Sequence, residues 1–162
     1  MKLTAVQEDY LEAVYRLEQA GEPGTVRVKD IADRLGTRLP TVTRTVKKLT
    51  SMGLFIHAAR GAVELSPQGQ QIAAAIVHRH DDLLRFLTEI LGVDAKVAET
   101  DTCRVEHGLS AETSQRLHEF LLFLDGIEDN ERKWLGRFFK AGAREEEVFG
   151  NLPEGRTMGW RT

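Results

Sequence analysis

Within Cys103-Arg104-Val105-Glu106-His107 a thiol, a carboxylate and an imidazole lie three and four residues apart. On one helix that spacing puts all three on a single surface. Sulfur, oxygen and nitrogen donors together suit a first-row transition dication, whereas magnesium and calcium select oxygen. Asp9 and Glu12 repeat the three-residue spacing near the start of the chain. His80 falls on the apolar stripe of a long helical stretch, where an imidazole must find a partner or carry the cost of burial. Each piece also has a plainer use. Asp9 and Glu12 can be favourable charges near a helix N-terminus, His80 a hydrogen-bonded core residue, and Cys103 a small core hydrophobe.

The elements that must position these residues read mostly as helix. Thr4-Ala5-Val6-Gln7 has the form of a capping box opening a first helix to about Ala20, ended by Gly21-Glu22-Pro23-Gly24. Thr25 to Val28 is β-branched and short, a brief strand or an extended lead-in. Lys29 to Leu35 forms a short helix stopped by Gly36, and Pro40 suits the first turn of the next, which runs to about Met52 and is closed by Gly53. That helix turns Val42, Val46 and Leu49 inward and leaves Thr41, Arg44, Thr45, Lys47 and Lys48 outside. Two helices joined by a tight Gly-containing turn form a helix-turn-helix. Leu54 to His57 and Val63 to Leu65 then make a hairpin with Arg60 at its tip, the wing of a winged helix. Ser66-Pro67 opens a long helix ended by Gly92. Asp94 caps another to Gly108, Ser110 a third to about Asp125, and a last short helix holds Trp134, Leu135, Phe138 and Phe139.

The expected architecture is therefore mainly α. A winged helix-turn-helix occupies residues 1–66, an all-helical dimerisation and metal-binding domain residues 67–145, and a tail residues 146–162. The second half carries more apolar helix face than so few helices cover, and a second copy would bury the surplus.

Bulk charge sharpens this. The chain of 162 residues has a formal charge of −3, yet residues 27–60 hold eight Lys/Arg against two acids and residues 71–162 hold twelve against seventeen. A basic patch on an acidic body is the footprint of a DNA binder. The opening residues include acids and lack an apolar run, unlike a secretion signal, and no stretch is long enough to span a membrane. The single cysteine excludes an intramolecular disulfide, which suits the cytoplasm.

Glu8-Asp9-Tyr10-Leu11-Glu12-Ala13-Val14-Tyr15, Val28-x-Asp30-Ile31-Ala32-x-Arg34-Leu35, Pro40-Thr41-Val42-Thr43, Arg79-His80 and Cys103-x-x-Glu106-His107-x-Leu109-Ser110 together resemble the diphtheria-toxin-repressor family of iron and manganese regulators. The resemblance runs from residue 4 to about 125. It implies a homodimeric repressor that binds palindromic double-stranded operators when loaded with Fe(II) or Mn(II), with Co(II), Ni(II) or Zn(II) as substitutes in vitro. It places the metal ligands on Asp9, Glu12, His80, Cys103, Glu106 and His107. Cysteine at 103 is iron-like within that family, whereas aspartate at 9 is manganese-like, and Fe(II) is the expected ion with Mn(II) the alternative. A carboxylate of the family's ancillary site is replaced by Leu84, although Glu99 falls near another of its positions. The larger members' SH3-like domain is not expected.

Arg27, Arg38, Pro40, Thr41, Thr43, Arg44, Lys47, Lys48 and Arg60 are the expected DNA contacts, the cations on phosphates, Arg44 on a guanine edge, and the threonines on bases or phosphates. A competing reading is a winged-helix regulator that senses oxidant through Cys103. An enzyme is not expected: no His-Glu-x-x-His or Gly-x-Ser-x-Gly occurs, and a site filled by six side chains leaves little room for substrate.

Overall fold

The computed structural model describes residues 3–21, 24–57, 61–128 and 131–142. The wing tip with Arg60, the end of the expected second domain and the tail from 146 lie outside the described residues. Helix α1, Ala5–Ala20, begins at a reciprocal cap: Gln7 N–H donates to the Thr4 hydroxyl and the Thr4 N–H donates to the Gln7 side chain. The segment before the second helix is extended. Val26 is buried there, and its carbonyl accepts one hydrogen bond from Val63 N–H of the wing at 2.9 Å.

Helix α2, Val28–Leu35, starts where Asp30 reaches back to the Arg27 N–H at 2.7 Å, one residue earlier than expected. Gly36 stops it at φ 58°, a conformation that any Cβ would strain. Helix α3, Leu39–Ser51, has Pro40 in its first turn, where the missing N–H costs nothing. Its inward stripe Val42, Val46 and Leu49 is 0–1% exposed. Strands β1, Phe55–His57, and β2, Val63–Leu65, pair antiparallel with Phe55 opposite Leu65 and His57 opposite Val63.

Helix α4, Pro67–Arg85, is capped by the Ser66 hydroxyl and leads straight into a π-helical turn, Phe86–Ile90. A Cβ at Gly69 would collide with the Leu54 carbonyl, so the first turn of α4 lies directly on the wing's base. Helix α5, Ala95–Val105, is capped by Asp94 and tightens into a 3₁₀ turn, Glu106–Gly108. Helices α6, Ala111–Gly126, and α7, Lys133–Gly142, follow.

Two apolar clusters hold these elements. The larger joins Tyr10, Leu11 and Val14 of α1 to Ile31, Val42, Val46, Leu49, Phe55, Val63 and Ile76. Because α1 packs chiefly on α4, the first helix is shared between the winged helix and the helical half. Truncating the fully buried Leu11 to alanine would cost about 2–5 kcal/mol. The smaller cluster sets Ile90 against Leu121 and Leu124, flanked by Phe86 in edge contact with Phe120. The Arg85 guanidinium forks onto Asp125 and joins α4 to α6.

Candidate metal centre

Three elements converge at one end of α1. Asp9 and Glu12 project from α1, His80 from the middle of α4, and Cys103, Glu106 and His107 from the junction of α5 with its 3₁₀ turn. They line an open cleft of about 500 Å³ together with Arg16, Arg34, Asp81, Leu84 and Glu99. The cleft has five carboxylates against two guanidinium groups, so its field attracts cations.

Cys103, Glu106 and His107 line one cleft, at the point where the helix gives way to a tighter turn. The α-helix ends at Val105, and the 3₁₀ turn winds about 120° per residue instead of 100°. Glu106 is shared between two sets of donors. Two groups result, His80 with Cys103 and Glu106, and Asp9 with Glu106 and His107; within each, the donor atoms lie within 4.8 Å of one another. An ion with bonds of about 2.0–2.3 Å needs its donors within about twice that distance. The donor set S, N and O fits a transition dication.

Glu106 is the hub. It is 2% exposed, and its Oε2 lies 2.9 Å from His80 Nδ1 while Oε1 lies 3.5 Å from His107 Nε2. His107 Nε2 is also 2.9 Å from Asp9 Oδ1. His80, 5% exposed, keeps Nε2 3.7 Å from Glu99. The Glu106 hydrogen bond holds the His80 pKa above its ordinary 6.5 despite burial. Burial raises the Asp9 carboxyl even with His107 beside it. Burial, then the surrounding carboxylates, push the Cys103 thiol above its usual value although the residue is exposed.

Glu12 belongs to neither group. Its Oε1 is 3.8 Å from His80 Nδ1 but accepts a 2.7 Å hydrogen bond from Arg16 Nε. Leu84 lines the same cleft, one turn after His80 on α4.

Residue-by-residue reading missed Glu8. Its Oε2 accepts from Arg79 at 2.5 Å and lies 2.9 Å from His107 Nδ1, the face of the ring opposite Asp9. Burial works to raise the Glu8 pKa, but the His107 and Arg79 hydrogen bonds outweigh it and the carboxylate is favoured. With Nδ1 held by Glu8, Nε2 is the ring atom turned to Asp9 and Glu106 and the one that could offer a lone pair to a metal. The signal was the pair Glu8 and Arg79, each next in sequence to an expected ligand.

At the other end of the first half, Arg38, Pro40, Thr41, Thr43, Arg44, Lys47 and Lys48 are all exposed on or beside α3. Arg27 is half-buried in front of α2. The Thr43 hydroxyl donates to the Leu39 carbonyl at 3.0 Å and keeps its lone pairs for other donors. Leu39, 50% exposed in the first turn of α3, is a further residue that the inward stripe did not announce.

Residues 2–63 match the family model for the iron-dependent repressor N-terminal DNA-binding domain, and residues 66–134 match that for the iron-dependent repressor metal-binding and dimerisation domain. The chain belongs to the iron-dependent repressor family. It is 34% identical to the diphtheria toxin repressor of Corynebacterium diphtheriae over 119 residues, which are 74% of this chain and 52% of that one. The chain thus spans about half the length of the diphtheria toxin repressors it matches. It is 34% identical to the transcriptional regulator MntR of Bacillus subtilis over 130 residues, 80% of this chain and 88% of that one. A manganese-dependent transcriptional repressor solved in complex with manganese superposes with a TM-score of 0.65 at 31% identity, over 72% of this chain and 53% of that one. The iron-dependent repressor family is one of transcriptional regulators, not enzymes. Among the described residues no helix is long and apolar enough to cross a membrane.

Proposed function

We propose that this chain is a metal-responsive transcriptional repressor, a homodimer that binds palindromic operator DNA when Fe(II), or alternatively Mn(II), is held between a DNA-reading half (residues 1–66) and a dimerising half (residues 67–145). One observation carries this reading: Asp9, on the helix that packs under the recognition helix, meets Glu106 and His107 of the second half. An ion there ties the two halves together. In a dimer, that tie fixes the separation of the two α3 helices, which a two-fold operator demands. Metal would bind the DNA-competent geometry better than the open ensemble, which is all the coupling requires.

The donor chemistry divides the centre. His80, Cys103 and Glu106 form the softer group and favour Fe(II), with Co(II), Ni(II) and Zn(II) as in vitro substitutes. Asp9, Glu106 and His107 offer oxygen and imidazole, which Mn(II) accepts as readily. Since the two Glu106 oxygens face different groups, the carboxylate suits a bridge between two ions. Glu12 would join on release from Arg16.

On the DNA side, Arg38, Lys47, Lys48, Arg27 and Arg60 are assigned to phosphates and Arg44 to a guanine edge. Thr41, Thr43 and Pro40 line the groove, and Leu39 suits a thymine methyl. The apolar side chains of Leu122 (56% exposed) and Phe123 (64%) are what a second copy would cover. The compartment this implies is the cytoplasm. The oxidant reading is opposed by the raised Cys103 pKa, since the thiolate is the reactive form.

Anoxic gel-shift titration on a candidate operator with Fe(II), Mn(II), Zn(II) and chelator tests the function. Retarded DNA with Fe(II) or Mn(II) and free DNA with chelator is expected. Metal-independent retardation, abolished by peroxide, would favour the oxidant reading instead.

A further inference from the structure

We propose that Arg16 is a built-in counter-cation of the metal centre: it holds the Glu12 carboxylate while no metal is bound, and it sets how much free metal is needed to close the site. This rests on the metal-centre reading above.

Glu12 lies on α1 three residues after Asp9 and close to His80, yet it stands outside both donor groups. The reason is the Arg16 fork. Arg16 Nε is 2.7 Å from Glu12 Oε1, and Nη2 is 2.6 Å from Asp81 Oδ1, next to His80 on α4. The guanidinium therefore spans from α1 to α4 across the mouth of the cleft. Glu12 is its i,i+4 neighbour, so the contact is ready-made on the helix surface. It is also partly desolvated, with the Glu12 side chain 15% exposed and that of Arg16 28%, so it is screened less than a surface pair.

Two consequences of opposite sign follow. Without metal, five carboxylates share the cleft, and Arg16 relieves their repulsion. With metal, a guanidinium and a dication compete for Glu12 and repel each other. An arginine cannot shed its proton to relieve that conflict. A residue that merely supported the fold, or one that oriented Glu12 towards the ion, would lower stability and metal affinity together. A counter-cation lowers one and raises the other when removed.

The test uses the full chain, with Mn(II) titrated by calorimetry and melting followed in chelator. Arg16→Met keeps the length and removes the charge. It should melt below wild type in chelator and bind Mn(II) about tenfold more tightly, the size of one coupling between adjacent charges. In a Glu12→Gln background the affinity gain should shrink. Equal or weaker Mn(II) binding by Arg16→Met overturns the role of Arg16. Wild-type protein that takes up no Mn(II) contradicts the metal-centre reading, and this proposal with it. Should Arg16→Met not fold, the wild-type side chain answers directly. The Arg16 Nε–H should exchange slowly with water in chelator and rapidly with saturating Zn(II), a diamagnetic ion. An exchange rate unchanged by Zn(II) overturns the proposal.

Discussion

The recognition helix and the metal centre are built in opposite ways. On α3 the outward residues Arg38, Thr41, Arg44, Lys47 and Lys48 are exposed, and each hangs on a turn fixed by neighbours a few residues away. In the metal centre almost nothing is local. Glu106 meets His80 across a separation of 26 residues, and Glu8 meets His107 across 99. Changes at well-separated positions on α3, such as Arg38 and Lys48, should therefore add, whereas changes in the centre should couple.

Glu106→Gln should produce the largest effect, because both donor groups share that carboxylate. It should cut metal affinity by at least about a hundredfold, as measured by calorimetry. It also leaves the buried His80 facing a neutral amide. A loss confined to one ion's worth of binding would mean that the two groups do not share Glu106.

Glu8→Gln comes next. The amide can still hydrogen-bond His107 Nδ1, but it loses the charge that Arg79 and His107 both hold. A fall of about tenfold in metal affinity with the helical circular dichroism signal unchanged is expected. An unaltered affinity would make the Arg79–Glu8–His107 chain a purely structural tie.

Much of the frame was legible and the centre's wiring was not. Thr4 with Gln7, Gly36 and Pro40 announce their turns because capping and φ preferences act within four residues. The 3₁₀ tightening at Glu106 left no such mark. Gly108 signals only where the helix stops, so the sharing of Glu106 between two donor groups could not be read from spacing. Nor could the π turn at Phe86–Ile90, where Leu91 N–H bonds five residues back to Phe86. The engagement of Glu12 by Arg16 has the spacing of any helical ion pair. Only the fold brings Asp81, 65 residues on, to the same guanidinium.

On the α3 side the effects should be smaller and separable. Arg44→Ala should cost about 1–3 kcal/mol on the specific operator if it reads a guanine. Lys47→Ala should weaken all DNA alike and reduce the salt slope by about 1. Fluorescence anisotropy on specific and random duplexes distinguishes them. Equal losses on both duplexes for Arg44→Ala would move it to the phosphate backbone and make α3 less selective than proposed.

The central claim is that metal acts by tying α1 to the second half, and Asp9 tests it most directly. Its side chain is acidic, 42% exposed and set on α1 beside His107, so it has no reason to bind phosphate. If metal does not work through that tie, Asp9→Ala should leave operator binding unchanged or slightly better. If it does, Asp9→Ala should still take up metal at His80, Cys103 and Glu106 while metal-dependent operator affinity is largely lost. Calorimetry and operator anisotropy on the same sample read both quantities. Metal binding retained with operator affinity lost is the predicted result. Full metal-dependent operator binding by Asp9→Ala would contradict the account.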